Sequence, residues 1–254
     1  MSIPKEFYWE TAQGVNIYGA EWSAPEAEAV IGLVHGVGEH CRRYDHLAAF
    51  FQANDIACVS FDRQGNGRSG GRRGDVAQFG FFYDEVASLL IECERRYPDR
   101  PVFLYGHSLG GNILLNYALK RHPDVAGVIL SAPYFQLAFQ PPAFKLALGK
   151  LMRSIWPGFT QSNPLEIKYL SRNPKVAEAY LADPLVHDKI SARTALDSIA
   201  AADELHHFTG HLSFPTLIMH GDQDGLTSYP ASKAFVERVK GEDLTFKTWY
   251  DFNN

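Results

Sequence analysis

The sequence predicts an α/β fold: a mostly parallel central sheet flanked by helices, interrupted by a helical cap insertion. Three observations predict it. Short apolar runs of the kind expected for strands buried on both faces alternate with segments of helical periodicity. Most of those runs end in loops bearing glycine, aspartate or serine. The alternation stops at Tyr134, stays absent to about Leu212, and then resumes. The expected organisation is one core made of residues 1–133 and 213–254, with a cap of residues 134–212.

Residues 7–10 and 15–22 read as two strands joined at Ala12-Gln13-Gly14, an antiparallel hairpin. Residues 24–29 read as a polar surface loop. Residues 30–34 (V-I-G-L-V) form the first buried run, and H-G-V-G-E-H follows it. Residues 44–53 are helical by pattern. The next buried run, 56–61, ends at Asp62 and R-Q-G-N-G-R-S-G-G. Phe82, Val86, Leu89, Leu90, Cys93 and Tyr97 recur at helical spacing until Pro98 closes the helix. A strand over 102–105 leads to Ser108 and a helix to about Arg121, followed by a strand over 125–130 that ends in S-A-P. Inside the insert, residues 143–155, 173–182 and 191–206 have helical patterns. The sheet resumes at 215–219, ending H-G-D-Q-D-G. A helix over 232–239 and a strand over 244–250 complete the chain.

The strand over 102–105 is aimed at a serine, in the run G-H-S-L-G-G (106–111). G-x-S-x-G after an apolar strand and before an amphipathic helix is the pattern of a nucleophile on a sharp strand-to-helix turn. A Cβ at Gly106 or Gly110 would collide with the neighbouring strand or helix. The helix N-terminus behind the serine supplies N–H groups and a positive dipole end, suited to a developing oxyanion. Ser108 is therefore the expected nucleophile. Serine needs a base, and the base needs an orienting carboxylate. Asp224 and Asp222, both just after a strand end, are the candidate acids, and residue chemistry alone does not separate them. The oxyanion hole is expected from the backbone N–H groups of Leu109 and Val37, with Gly36 allowing close approach of the chain.

Composition is consistent with this. A chain of 254 residues with 46% hydrophobic content buries enough surface to need no disulfide or metal staple. A net charge of −5 gives no basic footprint for nucleic acid. Three cysteines, Cys41, Cys58 and Cys93, form no close sequence pair and read as reduced thiols in a cytoplasmic setting, with Cys58 and Cys93 as inert packing residues. The N-terminus has no apolar signal core, and no run approaches the ~20 apolar residues of a membrane span.

Six motifs in order then carry a family resemblance: H-G-V-G-E-H (35–40) with Arg43-Tyr44, F-D-R-Q-G-N-G-R-S-G-G (61–71), G-H-S-L-G-G (106–111), S-A-P (131–133), D-P-L-V-H (183–187) and H-G-D-Q-D (220–224). The chain resembles the α/β-hydrolase fold, and within it the monoglyceride lipase and lysophospholipase-like group. The resemblance implies hydrolysis of esters with one long acyl chain through an acyl-serine intermediate, without metal or organic cofactor, and favours Asp224 over Asp222 as the acid. Other hydrolases on this fold, a thioesterase or a short-chain carboxylesterase, and a non-catalytic binding protein are the alternatives.

The chain departs from the family twice. Gln64-Gly65-Asn66-Gly67 replaces the usual Arg-Gly-His-Gly, with altered loop hydrogen bonding expected. The family's catalytic histidine follows the last strand, and no histidine follows His220 here. Three readings stand: a histidine beyond residue 254, a substitute among His107, His35 and His220, or a form lacking the base and turning esters over feebly. The three substitutes read as structural, His107 as a supporting residue of the nucleophile motif whose side chain points away from the hydroxyl.

Other patterns read as weaker. Gly65, Gly67 and Gly70 satisfy G-x-G-x-x-G, but polar G-R-R-G-D follows where a dinucleotide site needs a helix. His206, His207 and His211 match no metal-ligand spacing. Asp75, Asp84 and Glu85 read as capping or solvated. In the insert, Phe144, Ala147, Leu148, Leu151 and Ile155 share one helical face, read first as a lid helix packed on its own domain and second as a peripheral membrane or micelle contact. The expected partner is a small lipid ester; oligomeric state is not legible.

Overall fold

The computed structural model describes residues 3–162 and 166–254. Among them, one eight-stranded sheet organises the chain. Its strands are β1 (Lys5–Glu10), β2 (Asn16–Trp22), β3 (Ala29–Val34), β4 (Ile56–Phe61), β5 (Val102–His107), β6 (Gly127–Ser131), β7 (Thr216–Gly221) and β8 (Leu244–Trp249). Their order across the sheet is β1-β2-β4-β3-β5-β6-β7-β8. β2 is antiparallel to both β1 and β4, and every pairing from β4 onward is parallel. The helices are α1 (Asp45–Gln52), α2 (Gly80–Arg96), α3 (Leu109–Arg121), α4 (Ala143–Ile155), α5 (Pro174–Ala182), α6 (Ala192–His207) and α7 (Tyr229–Arg238).

The two-residue period of the strands splits the core into two layers. From β3, Val30 and Val34 enter one layer while Ile31 and Leu33 enter the other. Phe61, Leu104, Ile113, Leu114 and Ile218 fill the first layer, together with α2 and α3 residues such as Val86, Leu89 and Ala118. Tyr18, Trp22, Cys58 and Ala48 fill the second. Both faces of the central strands are therefore buried, which is why β3 and β4 read as apolar runs, broken only by Ser60, whose Oγ donates to Leu33 O at 2.9 Å.

Three details depart from the sequence reading. Ala24 and Ala27 lie in the core rather than in a solvated loop, at the two ends of a turn closed by Ala27 N–H donating to Ala24 O at 3.1 Å. α7 begins at Tyr229, earlier than the apolar pattern indicates: Ser228 Oγ caps the Ala231 N–H at 3.2 Å, and Pro230 suits the first turn. The insert between β6 and β7 holds α4, α5 and α6, and also short strands at Thr160–Ser162 and Lys189–Ser191 that pair antiparallel. Among the described residues, no helix is long and apolar enough to cross a membrane.

Candidate active site

Ser108 stands between β5 and α3 with φ 51° and ψ −117°, a left-handed backbone that a non-glycine residue holds only under strain. The surroundings enforce it. Ser108 N–H donates to Ser131 O at 3.0 Å, and Ser108 O accepts from Tyr134 N at 3.0 Å. Glycine is required on both sides. A Cβ at Gly110 would sit 2.2 Å from Val34 O, and one at Gly106 would sit 2.7 Å from Gly110 O.

The serine opens onto a cavity of about 250 Å³. Gly36, Val37, Leu109 and His107 share its wall, with Leu137, Phe139, Leu146, Leu196 and Ile199 from the insert. Leu109 is the first residue of α3, so its N–H has no partner within the helix. The Val37 N–H likewise meets no acceptor among the described residues. Two free amides therefore border the same space as the serine.

Asp224 lies one residue behind the cavity wall. Its Oδ1 accepts from the backbone N–H of Leu226 at 2.7 Å and Thr227 at 3.0 Å. Its Oδ2 is 2.7 Å from Thr227 Oγ1, 2.8 Å from Asn254 Nδ2 and 3.1 Å from His220 Nε2. Thr227 and Asn254 both line the cavity. Burial pushes the Asp224 carboxyl up, but the bonds from His220, Thr227, Asn254 and the Leu226 amide outweigh it, and the group is held below the ordinary aspartate value. Asp222 is placed differently: its Oδ1 caps the Asp251 N–H at 2.7 Å, in the turn after β8. Asp224 thus bonds two residues of the cavity wall, whereas Asp222 is engaged in the turn after β8.

The histidines divide as well. His35 is fully buried; its Nδ1 lies 2.8 Å from Gly36 O and its Nε2 accepts the Arg63 N–H at 3.0 Å. Burial holds its pKa well below the ordinary value, so it stays neutral. His220 is fully buried between Asp224 and Ser232 Oγ, the latter at 2.9 Å. Both rings are committed to the scaffold. His107 is on the cavity wall, its ring edge-on to Tyr44 at 6.1 Å between centroids.

Residues 25–252 match the family described as serine aminopeptidase, S33. The chain is 31% identical to a monoacylglycerol lipase of Mycolicibacterium smegmatis, over 93% of this chain and 85% of that protein. A crystal structure of a monoacylglycerol lipase from Paleococcus ferrophilus superposes with a TM-score of 0.84 at 32% identity, covering 93% of this chain and 89% of that one. The chain belongs to the monoglyceride lipase family of α/β-hydrolases. It is also 33% identical to an uncharacterized abhydrolase domain-containing protein of Dictyostelium discoideum, where it covers 87% of its own length but only 24% of that protein. By family the protein is a serine hydrolase of the lipase and esterase kind.

Within this family frame, the sequence motifs find their places. Asp62, at the end of β4, accepts the N–H groups of Cys41 at 2.8 Å and Arg68 at 2.7 Å, and Gly67 packs where a Cβ would strike its carboxylate. In the Gln64–Gly67 loop, Asn66 Nδ2 donates to Gln64 O at 3.0 Å. From D-P-L-V-H, His187 N–H donates to Gly38 O at 2.8 Å and Asp183 meets His40 Nε2 at 2.8 Å.

Two expectations are overturned. Asp75 and Glu85 are neither caps nor solvated: Asp75 is buried against Arg193 in a two-pronged pair at 2.8 and 2.6 Å, and Glu85 is buried beneath the Gln64 loop. Asp84 alone is exposed, as expected. The α4 helix does pack on α6, where Arg153 pairs with Asp197 at 2.7 Å, but its apolar stripe is turned outward: no residue of α4 is buried, Phe144 is 68% exposed and Ile155 71%. The helix turns Lys145, Leu146 and Gly149 to the cavity instead.

Sequence reasoning gave no role to Glu39, Arg63 or Thr227. Glu39 lies inside H-G-V-G-E-H and Arg63 inside F-D-R-Q-G-N-G-R-S-G-G, so a sequence signal exists for both. For Thr227 there was none, since its contact with Asp224 depends on how the loop after β7 folds back.

Proposed function

We propose that the protein hydrolyses carboxylic esters of single-chain lipids, in the manner of a monoacylglycerol lipase or lysophospholipase, through an acyl-serine intermediate. The observation that carries this reading is a strained serine opening onto a mainly apolar cavity bordered by two free backbone amides. Ser108 Oγ attacks the ester carbonyl carbon, and the resulting oxyanion accepts hydrogen bonds from the Val37 and Leu109 amides. Gly36 lets the loop approach, while Gly106, Gly110 and His107 support the turn. A histidine held by Asp224, which accepts its ring N–H, takes the serine proton and passes it to the leaving alcohol. Water then releases the fatty acid. His35 and His220 are poor candidates for the base because both ring nitrogens of each are already bonded.

Residues 134–212 act as the cap in this reading, with the acyl chain lying against Leu146, Leu196 and Ile199. The outward stripe of α4 supports peripheral contact with a lipid surface, by a protein otherwise resident in the cytoplasm.

A fluorophosphonate probe tests the nucleophile, and a monoacylglycerol series of increasing chain length tests the substrate class. The expected result is labelling of the wild type, none of Ser108→Ala, and preference for long single chains. Equal labelling of Ser108→Ala would refute the nucleophile, and preference for acetyl or thioester substrates would refute the lipid reading.

A further inference from the structure

The peptide joining Gly36 to Val37 is held from behind by a buried cation. Arg63 is 2% exposed, and its Nη2 donates to Gly36 O at 2.5 Å. The His35 ring reaches the same oxygen through Nδ1 at 2.8 Å. Its tautomer is not free: Nε2 faces the Arg63 backbone N–H, which can only donate, so the imidazole proton sits on Nδ1 and is given to Gly36 O. On the other side, Gly36 N–H donates to Glu39 Oε1 at 2.7 Å, and that oxygen also accepts the Tyr44 hydroxyl at 2.7 Å. Both peptide units of Gly36 are thus pinned.

The described residues contain no cis peptide. In a trans peptide, a carbonyl fixed toward Arg63 sends the next N–H the opposite way. Val37 borders the cavity, and its N–H is unclaimed. The guanidinium remains a cation near neutrality: burial lowers its pKa, but only to about 10, with Glu85 and Glu39 acting against burial. It lies over the Phe82 ring at 5.0 Å, in a low-dielectric setting where its field is weakly screened.

We propose that Arg63 is a positioning residue for ester hydrolysis, aiming and polarising the Gly36–Val37 peptide so that the Val37 N–H meets the oxyanion. This rests on the reading of Val37 as an oxyanion donor given above. A cation at a peptide oxygen draws electron density from the nitrogen and makes the N–H a stronger donor. A donor held in place before the reaction pays no reorganisation when charge develops. Because the effect appears only as the oxyanion forms, it belongs to kcat and leaves substrate binding alone.

The test compares Arg63→Met, Arg63→Gln and Arg63→Lys with wild type on a soluble short-chain ester and on the fluorophosphonate probe, with folding checked by melting. Removing an oxyanion donor outright lowers kcat about 10²–10³-fold. Loss of its support should lower kcat about 10–100-fold in Arg63→Met, leave KM within about twofold, and slow Ser108 labelling in parallel. Arg63→Lys should recover part of the loss, and the Val37 amide proton resonance should move in Arg63→Met. A folded Arg63→Met with wild-type kcat, or a loss confined to KM, overturns the proposal. Should Arg63→Met not fold, wild-type kcat in Arg63→Gln overturns it. Absence of labelling in wild type overturns the hydrolase reading and this inference with it, whereas brisk wild-type labelling matched by the variants overturns this inference alone.

Discussion

Glu85 shows what a single buried side chain does to the pH response of the whole. Its Oε1 accepts the Gln64 N–H at 2.8 Å, and its Oε2 has no partner among the described residues. Burial pushes its carboxyl up to about 7 from the ordinary glutamate value of 4.5, with the Gln64 amide and Arg63 acting in the opposite direction. Between those two values the folded protein holds a proton that the unfolded chain has released. Stability therefore falls as pH rises across this window, by on the order of 3 kcal/mol in full. Glu85→Gln keeps an acceptor for the Gln64 amide and removes the ionisation. Urea denaturation should find the two proteins close in stability near pH 4.5 and the variant the more stable at pH 8; a gap that does not widen with pH would show that Glu85 is not the responsible group. Asp224 is the opposite case. Its carboxyl is held below the ordinary value of 3.8, so its contribution is present above that pH and disappears as pH falls through its folded value. Ser108 and its glycines were legible from sequence because steric exclusion at Gly106 and Gly110 allows few residue types. Glu85 was not, since nothing in E-V-A-S-L-L distinguishes a carboxylate turned inward from one in water.

At the scale of elements, α4 carries the sharpest lesson. Helical periodicity placed it at Ala143–Ile155, where the structure has it. The same periodicity suggested that its apolar face packs on the domain, because apolar stripes ordinarily meet a core. Here Phe144, Leu148, Leu151 and Ile155 point outward, while the narrower Leu146–Gly149 side borders the cavity. A periodic pattern says that a face is apolar; it does not say which apolar surface it meets. Leu148, 47% exposed, is the central residue to change. If the stripe rests on lipid, Leu148→Glu should weaken binding to phosphatidylcholine liposomes, read by co-sedimentation, about tenfold or more, in keeping with the roughly 1.5–3 kcal/mol of a buried leucine, while short-chain ester hydrolysis is retained. Unchanged sedimentation would remove the lipid contact from the proposed function.

For the whole molecule, the insert is tied to the core mainly by its second half. Arg193 pairs with Asp75, Thr194 Oγ1 accepts the Val76 N–H at 2.9 Å, Ser191 N–H donates to Gly74 O at 2.9 Å, and His187 holds Gly38 and Gly65. α6 buries Ala192, Thr194, Ser198, Ala201, Ala202 and Leu205, whereas α4 buries no residue. Local opening should therefore be far easier in α4. Hydrogen exchange followed by mass spectrometry should find α4 amides exchanging at least tenfold faster than those of α6 or α3. Equal protection of α4 and α6 would mean that the two move as one body.

The sequence by itself determined the strand–helix alternation, the serine at its tight turn and the glycines around it. These rest on local sterics and on periodicities of two and 3.6 residues, which neighbouring residues encode. Only the tertiary structure set Asp224 against Thr227 and Asn254 of the cavity wall and Asp222 in the turn after β8, buried Arg63 behind the Gly36–Val37 peptide and Glu85 beneath the Gln64 loop, and turned the apolar side of α4 outward. Those outcomes depend on partners far away in the chain, such as Thr227 with Ala132 and Arg63 with Gly36. Burial and hydrogen bonding across such separations are set by how the layers close, not by the order of residues along one of them.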